Sequence, residues 1–317
     1  MYKEFYGFAE EPFALGFDSG FLFLTEGHKR ILETLLAGVK SRKGYMLLTG
    51  ERGVGKTTLI RHFISLRGKK IKMVPVFQNF GTVEEILEII LRELDLTVGE
   101  RSKSQMGKQL REYLIQKASL DETLVIIIDN AQDFSKEVLE DLRLLPVEDP
   151  RRPWSLQEIF VGDSGIEEIM NSEGLKQLGQ RITVRCTLEP LNEIESRRYI
   201  ESRLARVGSG SSKVFTPDAL DLICQLSKGI PRLINMVCYL ALANGFSLSK
   251  KKVDSAAVED VVSILGRQKP GRGQRWGNSM RALADTLGKS RLIMKISYTL
   301  LAYSFISGII FYFLTRE

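Results

Sequence analysis

Tyr45-Met-Leu-Leu-Thr-Gly-Glu-Arg-Gly-Val-Gly-Lys-Thr-Thr58 is the stretch that decides the fold. It runs from a short apolar segment through a glycine-rich turn into residues with helical spacing as far as Leu66. Gly50, Gly55, Lys56 and Thr57 satisfy G-x-x-x-x-G-K-[ST], and Gly53 and Val54 lie inside the loop. Glycines at these positions let backbone N–H groups turn inward around a chain of phosphates. Lys56 brings a positive charge to the outer phosphates, and the Thr57 hydroxyl suits Mg²⁺. The helix that begins at Thr58 aims its N-terminal dipole at the same anion. The expected ligand is a nucleoside triphosphate with Mg²⁺, held by Gly50, Gly53, Val54, Gly55, Lys56, Thr57 and Thr58.

On the N-terminal side of the loop, Ile31, Leu32, Leu35, Leu36 and Val39 are spaced as one face of a helix over 27–39. The opening, residues 2–24, carries Phe5, Tyr6, Phe8, Phe13, Phe17, Phe21 and Phe23, broken by Pro12 and glycines. It is expected to pack irregularly against the nucleotide-binding domain, with part of it bordering the base. On the C-terminal side, residues 70–77 form a strand candidate, and Pro75 assigns it to an edge. Helical patterns follow over 83–96 and 105–118. The run Leu124-Val-Ile-Ile-Ile128 is wholly apolar and ends in Asp129, as expected of a strand buried on both faces of a parallel sheet. A helix over 135–145, a loop over 147–154, a strand over 157–161 closing at Gly162-Asp163-Ser164, and a last strand over 182–186 complete this half. Strands alternating with helices give an open α/β sheet whose ligand lies beyond the carboxyl ends of the strands. Asp129 would then stand beside the phosphate loop and orient Mg²⁺ with Thr57.

After Pro190 the pattern turns helical: 192–207, 217–227, 231–244 and 255–265, with Asn192 and Thr216 as N-caps and a flexible turn at 208–212. The boundaries read from this are a nucleotide-binding domain over 1–190 and a helical domain over 191–266. Over 267–295 the chain is basic, with Arg267, Lys269, Arg272, Arg275, Arg281, Lys289, Arg291 and Lys295 against Asp285. Residues 296–314 carry no charge. That length just spans a hydrocarbon core of ~30 Å at ~1.5 Å per residue. A single transmembrane helix is expected there, with the N-terminal body on the cytoplasmic side by the positive-inside rule and the basic flank against anionic lipid. The rest is ordinary for a globular protein: 317 residues, 44% apolar, 26% charged, net charge +6. Three dispersed cysteines and two histidines argue against a zinc site, a disulfide framework and His-based nucleophilic catalysis. No export signal opens the chain.

Over residues 1–265 the chain resembles the AAA+ ATPases of the general secretion pathway protein A type. The likeness rests on Met1-Tyr-Lys-Glu-Phe-Tyr-Gly-Phe8 with Glu11-Pro-Phe13, Phe21-Leu-Phe-Leu24 with His28, and the phosphate loop. It also rests on Ile128-Asp-Asn-Ala-Gln132, Val161-Gly162, Gln180-Arg-Ile-Thr-Val184 and Gly229-Ile-Pro-Arg-Leu-Ile-Asn235. The resemblance implies a parallel five-stranded sheet, a helical lid, ATP and Mg²⁺ at their junction, and a homo-oligomer with active sites between subunits. It implies a sensor role for Arg232 at the γ-phosphate and makes Arg181 a candidate finger on a neighbour's nucleotide. Two positions depart from the family pattern. Asn130 replaces the Glu that polarises the attacking water, and an amide cannot accept its proton. Asp163 stands where relatives tend to have Gln. Relatives can carry a periplasmic cell-wall-binding region beyond the membrane span. This sequence stops at Glu317, so cell-wall binding in cis is not expected. The function implied is a membrane-anchored ATPase that binds ATP, hydrolyses it slowly, and drives assembly of a secretion or pilus-type envelope complex through a partner inner-membrane protein. Nucleic acid is not expected as a partner. The alternatives are a nucleic-acid-associated regulator like the transposition ATPases and a nucleotide-gated scaffold without turnover.

Overall fold

In the computed structural model, which describes residues 2–14, 21–78, 80–99, 102–143, 156–208 and 213–267, the apolar runs become strands. These are Tyr45–Gly50 (β1), Ile71–Val76 (β2), Thr123–Ile128 (β3), Leu156–Val161 (β4) and Ile182–Leu188 (β5). They form one parallel sheet in the order β2-β3-β4-β1-β5. The three central strands are buried at every residue, which is why they read as continuous rather than alternating hydrophobic runs. Pro75 lies in β2 at one edge, where a residue without an N–H is tolerated. At the other edge, β5 alternates between buried and more accessible residues and extends to Leu188, past the expected Cys186.

The helices are Tyr2–Tyr6 (α1), Glu26–Lys40 (α2), Lys56–Ser65 (α3), Val83–Glu93 (α4), Lys103–Ser119 (α5), Lys136–Arg143 (α6), Gly165–Met170 (α7), Lys176–Arg181 (α8), Glu193–Val207 (α9), Pro217–Ser227 (α10), Pro231–Ser247 (α11) and Ser255–Arg267 (α12). One core packs α2, α3 and the helices after β5 on the sheet face that carries Met46, Leu48, Val125 and Ile127. The second packs α4 to α8 on the face that carries Leu47, Leu124, Ile126 and Phe160. The expected helix over 83–96 stops at Glu93 because Asp95 turns left-handed (φ 59°) and the Leu96 N–H bonds back to the Leu91 carbonyl. Asn192 and Thr216 cap α9 and α10 as expected, each accepting a backbone N–H on its side chain. The two short helices α7 and α8 were not legible in the sequence.

The aromatic opening does not pack as expected on the nucleotide-binding domain alone. Its described aromatic residues lie on the helices after β5: the Tyr2 ring meets Tyr239 edge-on at 5.7 Å and Phe5 meets Phe246 at 5.3 Å, while Phe17 lies outside the described residues. The Tyr6 hydroxyl donates to the Lys250 carbonyl at 3.1 Å. The sequence pattern could not distinguish these surfaces, because any apolar face satisfies a buried aromatic ring. The cysteines are buried and free. Among the described residues no helix is long and apolar enough to cross a membrane. The expected basic linker beyond Arg267 and the expected span over 296–314 lie outside the described residues, as do the loop over 147–154 and residues 209–212.

Gly229 fixes how the helices after β5 meet the sheet. Its φ is +74°, its carbonyl accepts the Leu191 N–H at 2.9 Å, and a Cβ there would lie 1.8 Å from the Leu191 carbonyl oxygen. Gly229→Ala therefore adds a backbone clash to the left-handed penalty. The expected loss is about 2–3 kcal/mol in urea unfolding, whereas Gly107→Ala, at a helical position with open space around its Cα, is expected to be neutral or to gain up to about 1 kcal/mol.

Candidate functional site

At the carboxyl end of the sheet, β4 lies between β1 and β3. The residues that follow these three strands therefore converge: the phosphate loop after β1, Asp129 after β3 and Asp163 after β4. A cleft of about 580 Å³ opens there, bounded on the far side by α9 and α11.

The phosphate loop has the geometry an anion requires. Gly53 and Gly55 have φ of +87° and +107°, and Gly55 precedes α3 directly. The buried Lys56 ammonium donates to the carbonyls of Gly50 (2.7 Å) and Glu51 (3.1 Å). Burial pulls its pKa below the ordinary lysine value, and the charges of Asp163 and Asp129 oppose that pull. The Thr57 hydroxyl donates to the Asp129 carboxylate at 2.6 Å, and Asp129 is itself buried. A hydroxyl beside a carboxylate is an all-oxygen donor set of the kind that hard Mg²⁺ takes together with water and substrate phosphates. Among the described residues no cluster of three or more acidic, His or Cys side chains forms a preformed metal cage. Thr57 and Asp129 therefore fit a magnesium ion that arrives with a nucleotide.

Asn130 lines the cleft in the left-handed conformation (φ 53°, ψ 44°), and its N–H donates to the Asp129 carboxylate at 2.9 Å. Asn tolerates that conformation better than most residues. Arg232 opens α11: its N–H donates to the Gly53 carbonyl at 3.2 Å, and a Cβ on Gly53 would come within 2.8 Å of the Arg232 Cβ. The helix thus rests directly on the phosphate loop. Val54 supports the loop from below as a buried side chain. Thr58 faces the cleft. Arg181 is the one candidate that the fold keeps away from it. Arg181 ends α8 at the start of β5, at the sheet end opposite the phosphate loop, and is exposed.

The structure adds residues that the sequence did not single out. Arg52, inside the loop, donates its Nε–H to Asp163 at 3.0 Å, and its Nη2 lies 3.7 Å from Asp133. Asp163 also accepts the Gly165 N–H, and its own N–H donates to Gln132 Oε1. At the other end of the cleft, Arg203 donates to the Tyr199 hydroxyl (2.7 Å), which donates to Asn235 Oδ1 (2.9 Å). An arginine has no acceptor, so the direction of this relay is fixed. Its guanidinium lies over the Phe21 ring at 4.4 Å, and Phe23 meets Tyr199 edge-on. His28 lies in the same wall. Its Nδ1 accepts the Thr25 N–H, and burial holds its pKa below the ordinary value. Tyr199 and Arg203 are four apart on a helix, a spacing that puts both on one face. That spacing was the available signal, but nothing in it says which face meets the cleft.

A family model described as an AAA domain matches residues 39–170. General secretion pathway protein A of Aeromonas hydrophila is 32% identical over 254 residues, 80% of this chain and 46% of that protein. The chain thus spans about half the length of that relative. Cdc6p from Pyrobaculum aerophilum superposes with a TM-score of 0.63 at 15% identity, covering 80% of this chain and 70% of that one. The Aeropyrum pernix ORC2 protein, solved as ADPNP–ADP complexes, gives 0.59 at 18% identity over 80% and 71%. Drosophila ORC bound to DNA gives 0.57 at 16% identity over 86% and 68%. These three likenesses establish the fold.

Proposed function

We propose, from the premise that this chain is an AAA+ P-loop ATPase homologous to general secretion pathway protein A, that it binds Mg-ATP in the cleft between the sheet and α9–α11. Hydrolysis is slow, and nucleotide state governs assembly. One observation carries the reading: the N-terminus of α11 rests on the phosphate loop through the Arg232 N–H and the Gly53 carbonyl, 3.2 Å apart. Any movement of the loop around a triphosphate is therefore felt by the lid. A ligand shifts assembly only by its differential affinity for the assembled state. Arg232 on the γ-phosphate and Arg181 on a neighbour's nucleotide would supply that difference, since guanidinium groups stabilise charge on transferring phosphoryl oxygens. Phe21, Phe23 and His28 would border the base. The finer reading is a homo-oligomer at the cytoplasmic face of the inner membrane, anchored through 296–314. It would act with a partner inner-membrane protein in building a secretion or pilus-type complex. The rival, a DNA-associated regulator, predicts binding that falls steeply with salt. The solved structure with bound DNA shares only the fold with this chain.

The test is Mg-ATP turnover and particle size of the purified full chain with and without ATP, beside Asn130→Glu. Turnover of the native chain is expected to be slow. Asn130→Glu is expected to raise it at least about tenfold, at a stability loss of about 1 kcal/mol, because Glu is less tolerant of the left-handed conformation. A native chain that neither binds nor turns over ATP would overturn the reading.

A further inference from the structure

We propose that the Arg52–Asp163 ion pair is a latch over the phosphate loop, and that Asp163 supplies the carboxylate missing at Asn130. The inference rests on reading the cleft as an ATP site. Besides Glu51 within the loop, three carboxylates lie near it, and their partners differ. Asp129 receives the Thr57 hydroxyl and the Asn130 N–H, which occupies it as the magnesium carboxylate. Asp133 is about half exposed and sits 3.7 Å from Arg52. Asp163 is held from three sides: Gly165 N–H on Oδ1 (3.1 Å), Arg52 Nε–H on Oδ2 (3.0 Å), and its own N–H on Gln132 (3.2 Å). Its side chain is only 20% exposed, and it follows the strand that runs between the phosphate loop and Asp129.

An ionised carboxylate in that crevice repels a γ-phosphate unless a cation stands between them. Arg52 is that cation, carried by the phosphate loop itself. A γ-phosphate bears more charge than a carboxylate and matches the planar guanidinium fork, so ATP draws Arg52 off Asp163. ADP offers no such group and leaves the pair closed. Freed of Arg52, the Asp163 Oδ2 lone pairs are available to a water molecule. The water oxygen bonds to the γ-phosphorus, the bond from that phosphorus to the β-bridging oxygen breaks, and the water's proton passes to Asp163 and then to solvent. ADP and inorganic phosphate leave. An amide at residue 130 can orient that water but cannot take its proton.

The test pairs equilibrium binding of fluorescent ATP and ADP analogues with turnover, on the full chain. Asp163→Asn keeps the shape and the acceptor for Gly165. It is expected to lower kcat about 100-fold with KM within about threefold, and to leave ATP affinity unchanged or a few-fold tighter. Adding Asn130→Glu to it should recover at least tenfold in kcat. Arg52→Gln is expected to weaken ATP about tenfold while ADP stays within about twofold. The proposal is overturned if Asp163→Asn keeps more than a third of kcat, if the double variant recovers nothing, or if Arg52→Gln weakens ATP and ADP alike. A native chain that binds ATP without turning it over also overturns the role of Asp163, while the binding reading stands. A native chain that does not bind ATP fails that reading itself.

Discussion

Lys56→Ala is expected to remove nucleotide binding and, with it, all turnover. The Lys56 ammonium is buried and makes its hydrogen bonds inside the phosphate loop, to the carbonyls of Gly50 and Glu51. Its pKa is drawn down by burial rather than locked by a direct salt bridge. On the proposed reading it is a charge held ready: when a triphosphate arrives, phosphate oxygens would replace the carbonyls as acceptors. Hydrogen bonds between charged partners contribute about 1.5–3 kcal/mol each, so losing them weakens binding by at least about 100-fold, and turnover by more. Arginine does not substitute, because its planar fork needs more room than an ammonium that sits 2.7 Å from a backbone oxygen. The measurement is titration with a fluorescent ATP analogue, alongside circular dichroism. Among the described residues nothing outside the loop depends on Lys56 for a hydrogen bond, so the spectrum should not change. Binding retained within fivefold would remove the phosphate loop from the account.

Glu158→Gln is expected to stabilise the protein, increasingly so as pH rises. Glu158 lies in β4, opposite Tyr45 of β1 and Ile126 of β3, and is 1% exposed. Among the described residues neither of its carboxylate oxygens has a hydrogen-bond partner. Burial pushes its pKa from 4.5 up to about 8, so the folded protein holds a proton that the unfolded chain releases near pH 4.5. The stability attached to this proton is fully present below the unfolded value, declines from there to about pH 8, and is level above it. Glutamine mimics the protonated acid and does not titrate. The two proteins should be equally stable near pH 4.5, and Glu158→Gln should lead by on the order of 3–5 kcal/mol at pH 9. Comparing the variants by urea unfolding at several pH values isolates this group from the exposed carboxylates. Asp121 and Asp254, for example, are held below their ordinary pKa by neighbouring lysines and trend the opposite way. A stability difference that does not change with pH would refute the assignment.

The sequence by itself determined the parallel sheet, its phosphate loop and the place of Asp129 at the end of an apolar strand. Each of these follows from local rules. A glycine loop between a strand and a helix has one low-strain shape around an anion, and an apolar run ending in Asp places that carboxylate at the carboxyl edge of a sheet. The N-caps Asn192 and Thr216 were legible for the same reason, since a cap bonds within three residues. Tertiary structure decided what depends on which strands become neighbours. Arg52 and Asp163 are 111 residues apart in the chain, and they meet only because β4 is inserted beside β1. Tyr199 and Asn235 come from different helices, and their bond exists because α9 and α11 pack together. The left-handed backbone at Asn130 is likewise a product of the turn that carries it. It gives a conformational reason for an amide where the sequence showed only a missing carboxylate. The aromatic opening was visible as a set of residues to be buried. Where they are buried was settled by the shape of the helical surface, because hydrophobic burial has no direction of its own.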